Sequence, residues 1–370
     1  MDDTLGVGFI GAGWITRAHA LAIRSLAQVA PVGRQVEVRM LAARGRERGE
    51  AMAGRLGVER YTTDWRELVE DPAVHVVANL SGVYGHREAT EAALALGKPV
   101  LCEKPLGVDR HEARSMADAA AAAGVQAATG FNYRYLPAMR LARDIVARGD
   151  LGSIVHFRGA YLQDYAAVAT PVLPHNGSRS VNDYAHIVDF LHYLGGEAVS
   201  VQAASAKLTA YGPDVEDAYV AAVELGGGGL ANLEASRVAR GWKGRQRIEV
   251  DGTEGSLWWD MEDMNRLHVF FAADERAGLG GFRDIFVTQP DHPFAANWWP
   301  AGHGVGWEAG FIHEWHDFLA AIVAGEPVPA HQATFEDGYR AALVCDAILQ
   351  SARDGTRVRV ADLAVPGARP

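Results

Sequence analysis

The residues that could do chemistry begin near the start of the chain. Val7-Gly8-Phe9-Ile10-Gly11-Ala12-Gly13-Trp14-Ile15-Thr16 joins a compact apolar run to an amphipathic, Ala-rich one. At such a strand-to-helix turn Gly11 permits the tight bend and Gly13 lets backbone approach a pyrophosphate. The N–H groups of the helix start, at Trp14 and Ile15, then face the anion with the positive end of the helix dipole. This is dinucleotide-binding chemistry. Thr16 stands where the fingerprint has its third glycine, so the context of strand, turn and helix carries more weight than the spacing. The second strand of such a fold usually ends on an acid that binds the ribose 2′-hydroxyl. Here Leu41-Ala42-Ala43-Arg44-Gly45-Arg46 has no carboxylate before Glu47, and Arg44 lies where a 2′-phosphate would need a cation. That favours NADP over NAD.

Other chemistries find less support. His313-Glu314-Trp315-His316 lacks the i, i+4 histidine pair of a zinc helix, so no metal is expected. Two cysteines, Cys102 and Cys345, cannot build a disulfide framework or a cysteine-rich metal site, and Cys102 reads as a small buried residue. There is no serine nucleophile elbow. A net charge of −11 with scattered Lys and Arg argues against nucleic acid as a partner. Apolar runs stop short of a membrane span, and Met1-Asp2-Asp3 lacks the basic start of a signal peptide. The expectation is a reduced, cytoplasmic protein.

The elements that must position these residues alternate through the first third. Apolar strands at 6–10, 36–42, 74–80, 100–101 and 126–129 are interleaved with helices at 17–29, 46–56, 86–96 and 109–123. Alternation of this kind implies βαβ units and a parallel sheet covered on both faces. After Asn132 the rhythm changes. A helix at 137–148 leads into strand-like stretches at 154–161, 199–207, 218–225, 229–236, 246–251 and 267–271, several joined by Gly-rich turns such as Gly226-Gly227-Gly228-Gly229. That favours an antiparallel sheet. Helices are expected at 181–193, 313–324 and 335–352. With 370 residues, two domains are expected. The fold class is α/β: a Rossmann domain over 1–130, then an α+β domain over 131–370 with a large, mainly antiparallel open sheet.

Cys102-Glu103-Lys104-Pro105, followed by Gly130-Phe131-Asn132-Tyr133-Arg134, Tyr161-Leu162-Gln163-Asp164, Gly252-Thr253-Glu254-Gly255-Ser256 and Phe335-Glu336-Asp337-Gly338-Tyr339, occur in one order. Together they resemble the glucose-fructose oxidoreductase / inositol dehydrogenase / rhizopine-catabolism (Gfo/Idh/MocA) family over nearly the whole chain, and within it the sugar and cyclitol dehydrogenases of the levoglucosan-oxidising kind. The resemblance implies that Glu103 lines the nicotinamide ribose pocket and that Lys104 contacts cofactor and the reacting hydroxyl. A lysine beside a positive nicotinamide ring can be depressed in pKa and can orient an alkoxide. Ser81-Gly82-Val83 stands where the family often has Thr-Pro-Asn beside the cofactor. The resemblance also implies association through the open sheet, as a homodimer or homotetramer.

The family's second constellation has an Asp four residues before a His on a helix and another Asp three residues after it. His186 and Asp189 fit the later half, but Asn182 stands in the earlier position, with Asp183 and Tyr184 following. Asn182 and His186 share a helical face, whereas Asp183 is turned about 100° away. Either His186 acts as general acid/base with Asn182 orienting substrate, or a proton relay is rebuilt around Asp183 or Tyr184, or catalysis is lost. An imidazole with an ordinary pKa near 6.5 suits proton removal from a sugar hydroxyl. Asn297-Trp298-Trp299-Pro300-Ala301-Gly302-His303 combines aromatic faces with polar groups, as a carbohydrate requires. Trp299, His303, Arg134, Tyr161, Gln163 and Asp164 are the candidate substrate contacts, and His313 could also face the sugar. Trp258-Trp259 reads as core or subunit interface.

The expected activity is hydride transfer between NADP or NAD and a secondary hydroxyl or ketone of a sugar, sugar derivative or cyclitol. The alternatives are a redox-cycling sugar-modifying enzyme that holds its nucleotide, or a nucleotide-binding regulator without turnover.

Overall fold

The computed structural model describes residues 4–167, 185–210 and 215–367. The chain folds as two units, each drawn from more than one stretch of sequence. The first comprises Met1–Tyr135, Gly306–Tyr339 and Val365–Pro370, and the second Leu136–Val305 and Arg340–Ala364. A single cut near residue 131 therefore does not describe the packing. The helix Glu308–Ala324 lies against the helix Trp14–Val29 and contributes to the first core.

In the first unit the strands are β1 Leu5–Ile10, β2 Val36–Ala42, β3 Arg60–Thr62, β4 Val76–Asn79, β5 Val100–Glu103 and β6 Ala127–Gly130. They form one parallel sheet in the order β3-β2-β1-β4-β5-β6. Every residue of β1, β4 and β5 is buried, as expected of central strands covered on both faces. The intervening helices are α1 Trp14–Val29, α2 Arg46–Leu56, α3 Trp65–Glu70, α4 His86–Ala95 and α5 Arg110–Ala123. Their ends follow local chemistry. Asp109 caps α5 by accepting from the His111 and Glu112 N–H groups, and Gly124 closes it in the left-handed conformation. The order reverses at β1, which has β2 on one side and β4 on the other, and ligands in such sheets bind beyond the carboxyl ends at that point.

The second unit begins with α6 Pro137–Ala147 and β7 Ile154–Leu162. The short helix α7 Ala185–Phe190 runs into a π-turn at Leu191–Gly195. Strands β8 Ala198–Ala206, β9 Ala218–Leu225, β10 Leu230–Ser236, β11 Arg245–Gly252, β12 Gly255–Asp260, β13 Arg266–Phe271, β14 Arg283–Phe286 and β15 Val358–Arg359 join β7 in a nine-stranded sheet, ordered β14-β13-β12-β11-β7-β10-β9-β8-β15. All neighbours are antiparallel except β7 and β10. Burial alternates along β9, β10 and β12, the mark of a sheet covered on one face. Phe157, Ile248, Val250, Leu233 and Trp259 point into the covered side. Arg158, Arg247, Glu249, Asn232 and Glu234 stand on the open one.

Candidate cofactor and catalytic site

The cofactor candidates collect at the carboxyl ends of four adjacent strands. Gly11 follows β1, Arg44 follows β2, Ser81 follows β4, and Glu103 ends β5. Gly11 has φ +122°, and a Cβ there would lie 2.4 Å from the Leu80 carbonyl oxygen, so no other residue fits. Its N–H donates to the Ala42 carbonyl at 2.8 Å, tying the turn to β2. Gly13 differs. It is the extended N-cap of α1 with no side-chain cap, and a Cβ there would have nothing nearer than the Ile15 nitrogen at 4.0 Å. The uncapped N–H groups of Trp14 and Ile15 therefore border open space, and no acidic residue lies in the first helical turn. Such a cradle fits an anionic pyrophosphate. Thr16, in the third-glycine position, is fully buried and its hydroxyl donates to the Gly11 carbonyl at 3.0 Å, bracing the turn. Arg44 is exposed, two residues beyond β2. Trp14 is 61% exposed and packs on Trp307, with ring centroids 5.8 Å apart.

Two features missed by the sequence reading organise this end of the sheet. Asn79, fully buried at the end of β4, accepts the Ser81 hydroxyl at 2.7 Å and donates to the His86 carbonyl at 3.0 Å. It thereby shapes the Ser81-Gly82-Val83 loop. His86 is buried against the Pro105 and Leu106 carbonyls at Nδ1 (3.0 and 3.2 Å) and the Ser81 carbonyl at Nε2 (3.1 Å). It lies between the Ser81 loop and the Glu-Lys-Pro turn. Burial pulls its pKa below the ordinary imidazole value, against the opposing effect of those carbonyls. The Lys104–Pro105 peptide is cis and Lys104 is half-buried. Glu103 is buried. Its Oε1 receives His19 Nε2 at 2.9 Å, and its Oε2 accepts the Lys104 backbone N–H at 3.0 Å. Cys102 is fully buried, and burial pushes its thiol pKa up, which suits a packing residue.

In the second unit His186 is buried on α7, its ring 6.4 Å from that of Tyr161 on the covered face of β7. Gly159 lets the helix descend onto the strand, since a Cβ there would already sit 3.4 Å from the Ile187 Cβ. Gln246 lies opposite Tyr161 in the β7–β11 register, fully buried with neither amide atom hydrogen-bonded among the described residues, and was not singled out from sequence. Gln163 donates to the Lys243 carbonyl at 3.4 Å. Asp164 pairs with Lys243 at 2.6 Å, and that lysine, with the Gly241 N–H, holds its carboxyl below the usual range. Asn182, Asp183 and Tyr184 lie outside the described residues.

The remaining candidates are distributed as follows. Trp299 is 58% exposed, and His303 is exposed beside the Pro300 carbonyl. Arg134 is buried in the first unit, its guanidinium 3.3 Å from Asp337. His313 is fully buried and its Nδ1–H donates to the Tyr135 carbonyl at 2.9 Å, so it packs the core and presents nothing to a sugar. His316 binds the Ala30 carbonyl. Trp259 is core, while Trp258 stacks on His268 at 3.6 Å on the open face. Among the described residues no helix is long and apolar enough to cross a membrane.

Comparison with known proteins decides the family. The model of the oxidoreductase family with NAD-binding Rossmann fold matches residues 5–131, and that of the GFO/IDH/MocA C-terminal domain matches residues 139–258. The chain belongs to the Gfo/Idh/MocA oxidoreductases. It is 34% identical to levoglucosan dehydrogenase of Pseudarthrobacter phenanthrenivorans, over 95% of this chain and 96% of that protein. It is 32% identical to 1,5-anhydro-D-fructose reductase of Ensifer adhaerens, over 68% of this chain and 74% of that one. Among solved structures, levoglucosan dehydrogenase in complex with NADH and levoglucosan superposes with a TM-score of 0.89 at 34% identity, covering 96% of this chain and 99% of the other. Membership makes this chain an NAD-binding oxidoreductase, in keeping with its glycine cradle.

Proposed function

We propose that this oxidoreductase acts on a secondary hydroxyl of a sugar, sugar derivative or cyclitol, with Lys104 and His186 handling the hydroxyl proton and Asn182 positioning the hydroxyl. The observation that carries the reading is the gathering of Gly11, Gly13, Ser81, Glu103 and Lys104 at the carboxyl ends of β1, β4 and β5. The names of the relatives, which act on levoglucosan and related sugars, support the substrate class.

A bound nicotinamide would supply the acceptor for the hydride of the carbinol carbon. The chain's own residues hold that cofactor and take the proton. The α1 N–H groups bind the pyrophosphate, and Glu103 and Ser81 border the ribose. Lys104 orients the substrate oxygen, and the imidazole of His186 receives the proton, leaving a ketone. Tyr161, Gln163, Trp299 and His303 are the proposed sugar contacts. Arg44, exposed beyond β2 with no carboxylate between the strand and Glu47, supports use of NADP(H), while the levoglucosan dehydrogenase complexes contain NADH. The open sheet face, with its charged and aromatic side chains, is the proposed contact with a second copy of the chain.

The test is reduction of NAD⁺ or NADP⁺, followed by absorbance, with a panel of anhydrosugars, aldoses and inositols. Turnover with a few members of the panel is the expected result. Nucleotide binding without turnover on any of them would refute the dehydrogenase reading for these substrates and favour a redox-cycling enzyme or a regulator.

A further inference from the structure

Helix α1 carries the phosphate cradle at its first residues, and one side chain on its buried face reaches the Glu-Lys-Pro turn. That residue is His19, which has no exposed surface. Phe311 and Trp315, both on the helix Glu308–Ala324 (labelled α8), pack edge-on against its ring at centroid distances of 5.0 and 5.9 Å. The Trp315 indole Nε1 lies 2.9 Å from His19 Nδ1. An indole nitrogen can only donate, so Nδ1 must present its lone pair. The single ring proton is then on Nε2, 2.9 Å from Glu103 Oε1. A doubly protonated ring would set two N–H groups against each other at Trp315. Trp315 therefore selects the tautomer, and the tautomer makes His19 a donor to Glu103. The carboxylate's other oxygen accepts the Lys104 backbone N–H. Gly130, at the end of β6, closes the far side: a Cβ there would lie 3.3 Å from Glu103 Oε1.

We propose that His19, held in its Nε2–H form by Trp315, is the positioning residue that fixes Glu103 and through it the placement of Lys104. The inference rests on the role proposed above for Lys104. His19 touches neither cofactor nor substrate. Its chain of bonds joins the helix that binds the pyrophosphate to the turn that bears the lysine, so that both are registered against one buried ring.

The experiment pairs kinetics with a spectroscopic readout. In the full-length protein labelled with ¹⁵N-histidine, His19 should show one protonated and one unprotonated ring nitrogen, with Nε2 bearing the proton, with or without NADH. Trp315→Phe should scramble that signature. His19→Ala should lower kcat about 10- to 100-fold, the loss typical of misplaced reacting groups. The sugar KM and the NADH Kd, measured by fluorescence titration, should stay within about threefold of wild type. His19→Gln, whose amide N–H can reach Glu103, should recover most of the loss. A His19 ring protonated on both nitrogens, or on Nδ1 alone, overturns the proposal without reference to activity. So does an unchanged kcat in His19→Ala, normalised to folded protein. Full activity in Lys104→Ala would refute the role of Lys104 itself. Loss there, alongside full activity in His19→Ala, would refute only the positioning by His19.

Discussion

Gly11 and Gly13, separated by a single alanine, should fail in opposite ways when given the same methyl group. At Gly11 the added Cβ would meet three backbone atoms, the Leu80 oxygen at 2.4 Å, the Leu80 carbon at 2.6 Å and the Ser81 nitrogen at 2.9 Å, with φ at +122°. None of those atoms can swing aside as a side chain can, and left-handed backbone strain alone costs about 1–3 kcal/mol. Gly11→Ala should therefore destabilise the fold by at least about 2 kcal/mol. At Gly13 φ is −82° and the nearest atom is 4.0 Å away, so Gly13→Ala should leave the unfolding temperature unchanged. Its methyl group instead fills the space at the uncapped helix start. If it displaces a phosphate from one N–H group, the lost charge-assisted hydrogen bond is worth about 1.5–3 kcal/mol, or roughly 10- to 100-fold in NADH Kd. Thermal unfolding and NADH fluorescence titration read the two effects separately. An unchanged NADH Kd in Gly13→Ala, or a loss of stability as large as in Gly11→Ala, would refute the assignment of the cradle.

Other outcomes follow from single contacts. Arg44→Asp should lower kcat/KM for NADP⁺ at least about tenfold relative to NAD⁺, because it replaces the cation beyond β2 with a repelling charge; an unchanged ratio would remove Arg44 from cofactor selection. Asp217 and Arg237 form a wholly buried pair at 2.8 Å, and Asp217 also accepts from the Leu208 and Thr209 N–H groups. Asp217→Asn should cost about 3–5 kcal/mol in chemical denaturation, since it leaves a buried cation without its counter-charge. Burial lowers the pKa of His313 to about 4, below its unfolded value near 6.5. The unfolded chain thus takes up the proton first on acidification. The stability linked to this group is fully present above about pH 6.5 and is lost as pH falls towards 4, amounting to about 3 kcal/mol at full extent. His313→Asn should flatten the decline of unfolding temperature between pH 7 and 5, and an unchanged slope would show that other groups set it.

Much of the scaffold was legible because local pattern and tertiary role agree. The bounds read from sequence for Val36–Ala42, Arg46–Leu56 and Ala218–Leu225 coincide with the observed elements, each an apolar or amphipathic run with a glycine or a charged residue within two positions of its end. Arg60–Thr62, Arg283–Phe286 and Val358–Arg359 were missed. They are edge strands of two to four residues, too short to show a period, and exist because a neighbouring strand offers unpaired backbone groups. The helix read as starting at His313 begins at Glu308, without a side-chain cap to announce it. The proposed cofactor half of the site rests on the same kind of signal. Gly11, Gly13 and Glu103 take their places from the strand-to-helix turn and from strand order, which sequence order encodes directly. His19 and Trp315 are separated by 296 positions, and Asn79 and Gln246 owe their interest to burial, so no spacing rule reaches them.

The three-part make-up of the first unit bears on how the molecule can be built and rebuilt. A growing chain that has released residues 1–135 already holds the six-stranded sheet, yet still lacks the helix 308–324 that lies against α1 and supplies the indole to His19. The nucleotide half can reach its final packing only after the intervening sheet of the other unit has been synthesised. The same holds for an engineer who joins the front of this enzyme to the back of a relative. A junction near residue 131 would pair α1 with a foreign helix, and a chimaera that keeps the original buried contacts must carry residues 306–339 together with the first 135.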